Sequence, residues 1–312
     1  MNENMLLKDF IETIKFELNA KMGSDYDIQA TTTAKNNGLY LEGLCIKRKE
    51  DTVAPVIYMA PYYKDYREGR LILDIVENII LTFKDWDTKK PVVHSLNWEQ
   101  IKDKITVRLV NYELNKELLE TVPYKEVFGD LVVTFHIVVE SGSDGIKTIR
   151  IGNELFNSFP VSIDSLYEIA LSNTAKLFPA VVRDMEDIIV DMLDKDTGLS
   201  EEYQQFEGAM FLLHNRTQMI VVSNRTGVYG ATAILYPNML KSIAEQTKSD
   251  LYILPSSLHE MILVPVKDKE MAAIDLNNMV YEVNQTEVED DDILSNNAYV
   301  YRAGANRVEM LI

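Results

Sequence analysis

Ser256, Ser257, His259 and Glu260 lie within one five-residue run, between Pro255 and Met261. These side-chain types could perform acyl or group transfer: Ser256 or Ser257 as nucleophile, His259 as its base, Glu260 as the acid behind it. The spacing speaks against that chemistry. A hydrolase serine sits on a strand-to-helix elbow between glycines, in the pattern G-x-S-x-G. Here the serines fall between two short apolar runs, Leu251–Leu254 and Met261–Val266, and no glycine is near. Pro255 cannot donate a ladder hydrogen bond, so the first strand must end there. Ser256–His259 then fits a hairpin loop of common length. The preferred reading is therefore a turn whose serine hydroxyls bond local backbone, with His259 part-exposed at the mouth of the second strand. A hydrolase or transferase of unfamiliar type is the alternative.

Other chemistries find less support. The histidines are His94, His136, His214 and His259; no two are close in sequence and no H-E-x-x-H helix occurs. His136 lies mid-strand in an apolar run and reads as a satisfied core histidine. Asp194-Lys-Asp196-Thr-Gly198 resembles the start of a calcium loop, but its glycine comes one place early and Gln205 stands where the closing glutamate belongs. With Cys45 as the single cysteine, neither an internal disulfide nor a thiolate zinc cage can form. No phosphate-binding glycine motif is present; Gly227-Val-Tyr-Gly230 before a helix is the nearest approach. Neither a metal nor another cofactor is expected. The cluster Tyr58, Tyr62, Tyr63 and Tyr66 with Lys64, Arg67 and Arg70 is the best interaction candidate, because tyrosine and arginine are enriched in binding hot spots. Tyr62, Tyr63, Tyr66, Arg67 and Arg70 are its expected binding residues. The competing reading is a strand-to-helix loop that packs its own tyrosines on the core.

The elements that would position these groups follow from periodicity. Leu7, Phe10, Ile11, Ile14 and Leu18 mark a helix that stops near Gly23. Strands at 28–34 and 39–47 flank Asn37-Gly38, a hairpin signal, and a third strand spans 55–59. Ile72, Ile75, Val76, Ile79, Ile80 and Phe83 mark a strongly amphipathic helix. This α-β-β-β-α unit occupies residues 1–90. Residues 84–97 read as a connector, and a larger α+β domain fills 97–312. Within it, 98–119 is helix or a helix–strand mix. Leu131–Val139, almost wholly apolar and β-branched, reads as a central strand buried on both faces. A partner strand is expected at 147–151. Helices are expected from a Ser162 or Asp164 cap to Leu177, at 179–193 with a loop at 194–202, at about 237–247 and at about 268–283. Strands are expected at 210–213, 219–223, 251–254, 261–266 and, as a closing pair, 298–302 and 307–311. The fold class is α+β, with mixed or antiparallel sheets and helices packed on them.

Composition bounds the function. The 312 residues carry 31 Lys and Arg against 49 Asp and Glu, a net charge of −18, with 46 % hydrophobic residues. That is a globular composition. No apolar run approaches the ~20 residues of a membrane span, and the N-terminus lacks a secretory pattern, so a cytoplasmic protein with no membrane partner is expected. The acidic balance excludes sequence-independent nucleic-acid binding, which needs clustered Lys and Arg.

The segment GATAILYPNMLKSIAEQTKSDLYILPSSLHEMILVP resembles bacterial proteins catalogued as domain of unknown function 5688. The pieces NKELLETVPYKEVFGDLVVTFHIVV, SIDSLYEIALSNTAKLFP and YKDYREGRLILDIVENII fit the same pattern, so the likeness spans most of the chain. The resemblance implies a cytoplasmic bacterial protein and supplies no catalytic residues. Three functions stay open: a non-catalytic binding or interaction protein with a protein partner; a hydrolase or transferase centred on PSSLHE; and, less supported, an acidic DNA-mimic inhibitor.

Overall fold

The computed structural model describes residues 5–51, 54–88, 96–142, 145–188, 190, 218–266 and 271–312. The chain divides into two compact units, Met1–Leu96 and Asn97–Ile312. Helices and antiparallel sheets make up both, so the fold is α+β.

In the N-terminal unit, α1 (Leu7–Met22) buries Phe10, Ile11, Ile14 and Leu18 along one face and ends at Gly23. β1 (Tyr26–Ala34) and β2 (Tyr40–Arg48) pair antiparallel from Tyr26↔Arg48 to Ala34↔Tyr40. Asn37 and Gly38 both take positive φ at the turn, the conformation an Asn-Gly pair favours. β3 (Val56–Tyr58) joins the other edge of β2. The stretch expected to be a loop is instead a helix, α2 (Ala60–Arg67). Pro61 stands in its first turn, where a missing N–H is harmless. α3 (Ile72–Thr88) buries Ile75, Val76, Ile79 and Phe83 in the same core.

In the C-terminal unit the window 98–119 resolves into α4 (Trp98–Ile101), β4 (Ile105–Asn111) and α5 (Lys116–Leu119). β5 (Tyr124–Phe128), β6 (Leu131–Gly142) and β7 (Gly145–Arg150) follow. β6 is central: β4 holds one edge, β5 and then β7 the other. Residues 131–138 are all buried and Val139 is half-buried. Val133, Phe135 and Ile137 enter the main core beside Val107 and Leu109. The opposite face of the sheet brings Thr106 beside His136 and Arg108 beside Thr134.

His136 is buried, with Nε2 3.0 Å from the Thr134 hydroxyl. Burial, reinforced by Arg108 and Arg150, holds its imidazole well below the usual value of 6.5. The unfolded chain therefore takes up a proton below about pH 6.5 that the fold refuses. Stability present above that pH is lost as pH falls toward the folded value, with a slope of up to about 1.4 kcal/mol per pH unit. Denaturation of wild type and His136→Gln between about pH 7 and 5 is expected to show a steeper loss in wild type; parallel curves would refute it.

α6 (Asn153–Phe156) and α7 (Ile163–Leu177) come next, and Ser162 caps α7 by accepting from the Ser165 N–H at 3.2 Å. The helix expected at 179–193 is a correction: Ala180–Asp184 form strand β8, and only 185–188 and 190 are described as helical beyond it. The spacing of Val181, Met185 and Ile188 suits a helix, but antiparallel pairing with β9 (Ile220–Asn224) overrides it from Ala180↔Asn224 to Asp184↔Ile220. The remaining elements are α8 (Met239–Thr247), β10 (Leu251–Pro255), β11 (Met261–Pro265), α9 (Ala273–Thr286), β12 (Tyr299–Arg302) and β13 (Arg307–Met310). Among the described residues, six strands make an antiparallel sheet in the order β13-β12-β10-β11-β9-β8. One face, with Val222, Ile253, Leu263 and Tyr299, packs into the core shared with β6. The other, with Val221, Tyr252, Val264 and Val300, lies under Leu276 and Val280 of α9. The expected strand 210–213, the loop 194–202, the calcium-like segment 194–205, His94 and His214 lie outside the described residues. Among the described residues no helix is long and apolar enough to cross a membrane.

Candidate functional site

The loop from Ser256 to Glu260 joins β10 to β11, which pair out to Pro255↔Met261. Its conformation is held from within. The Ser257 hydroxyl accepts the His259 backbone N–H at 3.0 Å, and the Ser256 hydroxyl donates to Glu260 Oε1 at 3.2 Å. Neighbouring segments hold it from outside. The Leu258 N–H donates to the Asp292 carbonyl at 2.8 Å, the Ala231 N–H to the Leu258 carbonyl at 3.2 Å, and the Ser223 hydroxyl to the His259 carbonyl at 2.8 Å. Gly230 packs so closely here that a Cβ would lie 2.4 Å from the His259 carbonyl oxygen and 2.8 Å from the Asn224 nitrogen.

Both ring nitrogens of His259 are engaged. The Tyr229 backbone N–H donates to Nδ1 at 3.2 Å, so in the neutral ring the proton is on Nε2, which faces Asp292 Oδ2 at 3.3 Å. The ring is 35 % exposed. Tyr229 reaches this position with φ 54, an uncommon conformation for a bulky residue and one that clusters at functional sites. Its ring lies tilted 6.0 Å from that of His259, and the Arg108 guanidinium stands 3.7 Å from the Tyr229 ring centre. Arg108 also donates to the Thr148 hydroxyl at 2.7 Å, and burial pushes its guanidinium down to about 10, the nearby Arg150 adding to the fall.

The loop forms one wall of a cavity of about 450 Å³, a size typical of small-molecule sites. Its floor is apolar. Leu254 and Ile262 come from β10 and β11, Met279 and Val283 from α9, and Met185 and Met219 from the end of the β8–β9 ladder. The ladder register brings the two methionines together, with the Met185 N–H donating to the Met219 carbonyl at 2.9 Å. The rim carries Ser256, Ser257, His259 and Glu260 from the loop, and Glu287, Glu289 and Asp292 from the segment after α9. Among the described residues no Lys or Arg lines the cavity, and no three His, Cys, Asp or Glu side chains come together as a metal set.

The tyrosine–arginine cluster is arranged differently. Tyr66 is buried, its ring 5.3 Å from Phe10 and 6.3 Å from Tyr63. The Tyr63 hydroxyl donates to the Met5 carbonyl at 2.7 Å, and the Tyr62 hydroxyl lies 3.2 Å from that of Thr82. Arg70 pairs with Asp65 at 2.7 Å, and Arg67 is exposed. The rings fasten α2 to its own unit, with Tyr66 buried and Tyr62 and Tyr63 half-buried, while Arg67 and Arg70 are exposed.

Sequence reasoning does not place Asp292, Tyr229, Glu287, Glu289 or the methionine floor at this site. The run Glu287–Asp292 is conspicuously acidic in the sequence, but nothing local ties it to His259. The Gly227-Val-Tyr-Gly230 segment, the sequence's nearest approach to a phosphate motif, aims the Tyr229 N–H at an imidazole.

One protein-family model, described as a family of unknown function (DUF5688), matches residues 7–303. No curated protein and no solved structure matches the chain.

Proposed function

The chain belongs to DUF5688, a family of unknown function, and we propose that it is a non-catalytic binding protein whose ligand site is the cavity walled by Ser256–Glu260 and α9. One observation carries this reading: His259 has no ring nitrogen left to accept a serine proton. Nδ1 already accepts from Tyr229 N–H, Nε2 faces Asp292, and each serine hydroxyl is bonded to a group other than the ring. A general base must reach the proton it removes, and here the ring would have to leave both partners first.

A specific feature favours the hydrolase alternative, namely that Asp292 stands 3.3 Å from His259 on a wall that also carries two serines. One pair of assays separates the readings. The neutral fluorophore N-phenyl-1-naphthylamine is expected to brighten in the cavity. Met279→Trp or Val283→Trp, each filling the floor, is expected to weaken its binding by about tenfold or more, the loss of roughly one buried apolar group's worth of contact. His259→Ala is expected to leave stability within about 1 kcal/mol, as for an exposed pair, and to leave dye binding intact. Ester hydrolysis that disappears in both Ser256→Ala and His259→Ala, with the fold preserved, would establish the hydrolase reading instead.

A further inference from the structure

We propose that the occupant of this cavity is an organic cation: an ammonium or guanidinium group on an apolar body. The inference rests on the binding reading above and adds the chemical class of the ligand. The first argument is charge. Glu260, Glu287, Glu289 and Asp292 share the rim, and among the described residues no Lys or Arg lines the cavity. Glu260 is engaged by Ser256, and Asp292 faces His259. Glu287 and Glu289 carry no ion pair or side-chain hydrogen bond among the described residues, and both are exposed. Carboxylates gathered at one mouth repel each other, and a low-dielectric wall behind them focuses their field outward. A positive group entering there relieves the repulsion; an anion adds to it.

The second argument is the floor. Met185, Met219, Met279, Ile262 and Val283 offer apolar and thioether surface with no oxygen donor. A hard metal cation needs six or more oxygen ligands at close range, and the rim acids do not converge as a metal set among the described residues. Methionine is flexible and polarizable, and it adapts to irregular apolar shapes. A charge at the mouth with a hydrocarbon body on the floor satisfies both surfaces at once. The volume of about 450 Å³ matches a small molecule.

The test uses the full-length chain and displacement of N-phenyl-1-naphthylamine by three probes of equal chain length: decyltrimethylammonium, decanoate and decanol. The ammonium is expected to displace the dye at a concentration at least about tenfold below that of decanoate, with decanol between them. Added salt should narrow the gap, because the rim is exposed. In the double variant Glu287→Gln, Glu289→Gln, which alters only exposed side chains, the gap should shrink severalfold while decanol is unaffected. Equal displacement by all three probes, or a preference for decanoate, would overturn the cation assignment and leave the binding reading standing. If the dye binds but only a lysine-rich peptide displaces it, the small-cation assignment is likewise overturned. Failure of the dye itself to bind would remove both.

Discussion

Replacing Asp130 by alanine is expected to destabilise the C-terminal unit by about 3–5 kcal/mol, the loss of several charge-assisted hydrogen bonds at once. Asp130 lies in the turn between β5 and β6. Its carboxylate accepts from Asn111 Nδ2 at 2.8 Å, the Ser295 hydroxyl at 2.9 Å, Asn297 Nδ2 at 3.0 Å and, most closely, the Tyr299 hydroxyl. A carboxylate has about four acceptor sites, and here each finds a donor. The donors come from β4 and from the segment entering β12, so one side chain ties the β4–β7 sheet to the six-stranded sheet. Tyr299 and Ser295 are fully buried, and water cannot replace the lost acceptor without opening the core. Burial, with Asp130 beside it, pushes the Tyr299 hydroxyl strongly upward, so it stays a donor across the working pH range. Asp130→Asn keeps the shape but turns one acceptor into a donor facing donors, and should lose about 1–3 kcal/mol. Tyr299→Phe removes the hydroxyl that contacts both Asp130 and the Ser295 hydroxyl, and should lose about 1–2 kcal/mol. Urea denaturation in a Trp86→Phe background isolates the C-terminal unit, because Trp98, its remaining tryptophan, packs 5.1 Å from Phe159. A loss below about 1 kcal/mol for Asp130→Ala would show that the network contributes little.

What could be read beforehand depended on whether a residue's role was local. Phe10, Ile11, Ile14 and Leu18 share a helix face whatever the rest of the chain does, and Asn37-Gly38 turns by its own backbone preferences. The β10–β11 hairpin was legible for the same reason, since Pro255 ends one strand within sight of the next. The misreadings occur where a distant partner decides. Val181, Met185 and Ile188 have helical spacing, yet residues 180–184 become strand because Ile220–Asn224 offers a ladder. The α2 stretch reads as a loop because its charges hide its one buried residue, Tyr66, which packs on half-buried Tyr63. The cavity was the least legible feature. Met185 meets Met219 only through the β8–β9 register, and His259 meets Asp292 only because the chain after α9 returns to the β10–β11 loop. No window of sequence contains both halves of either contact.

Truncating Phe135 to alanine is expected to destabilise the C-terminal unit by about 3–5 kcal/mol, the range for a large aromatic removed from a packed core. The position leaves little room for a smaller loss. Phe135 is fully buried on the central strand of its sheet, opposite Val107 of β4, with neighbours on both edges of β6. It shares the main core with Leu166 of α7 and with Val222, Ile253 and Leu263 of the six-stranded sheet. A cavity opened there is walled by two sheets and a helix, none of which can collapse without disturbing ladder hydrogen bonds. Part of the loss is transfer of the ring to water, and part is contact forfeited by rigid neighbours. Phe135→Leu, which returns most of the volume, should recover about half of the loss. The same Trp86→Phe background and urea series measure it. Because the ligand cavity lies on the other face of the six-stranded sheet, dye binding by the folded fraction should be unchanged in Phe135→Leu. A loss below about 1 kcal/mol for Phe135→Ala would contradict the placement of β6 at the centre of this core.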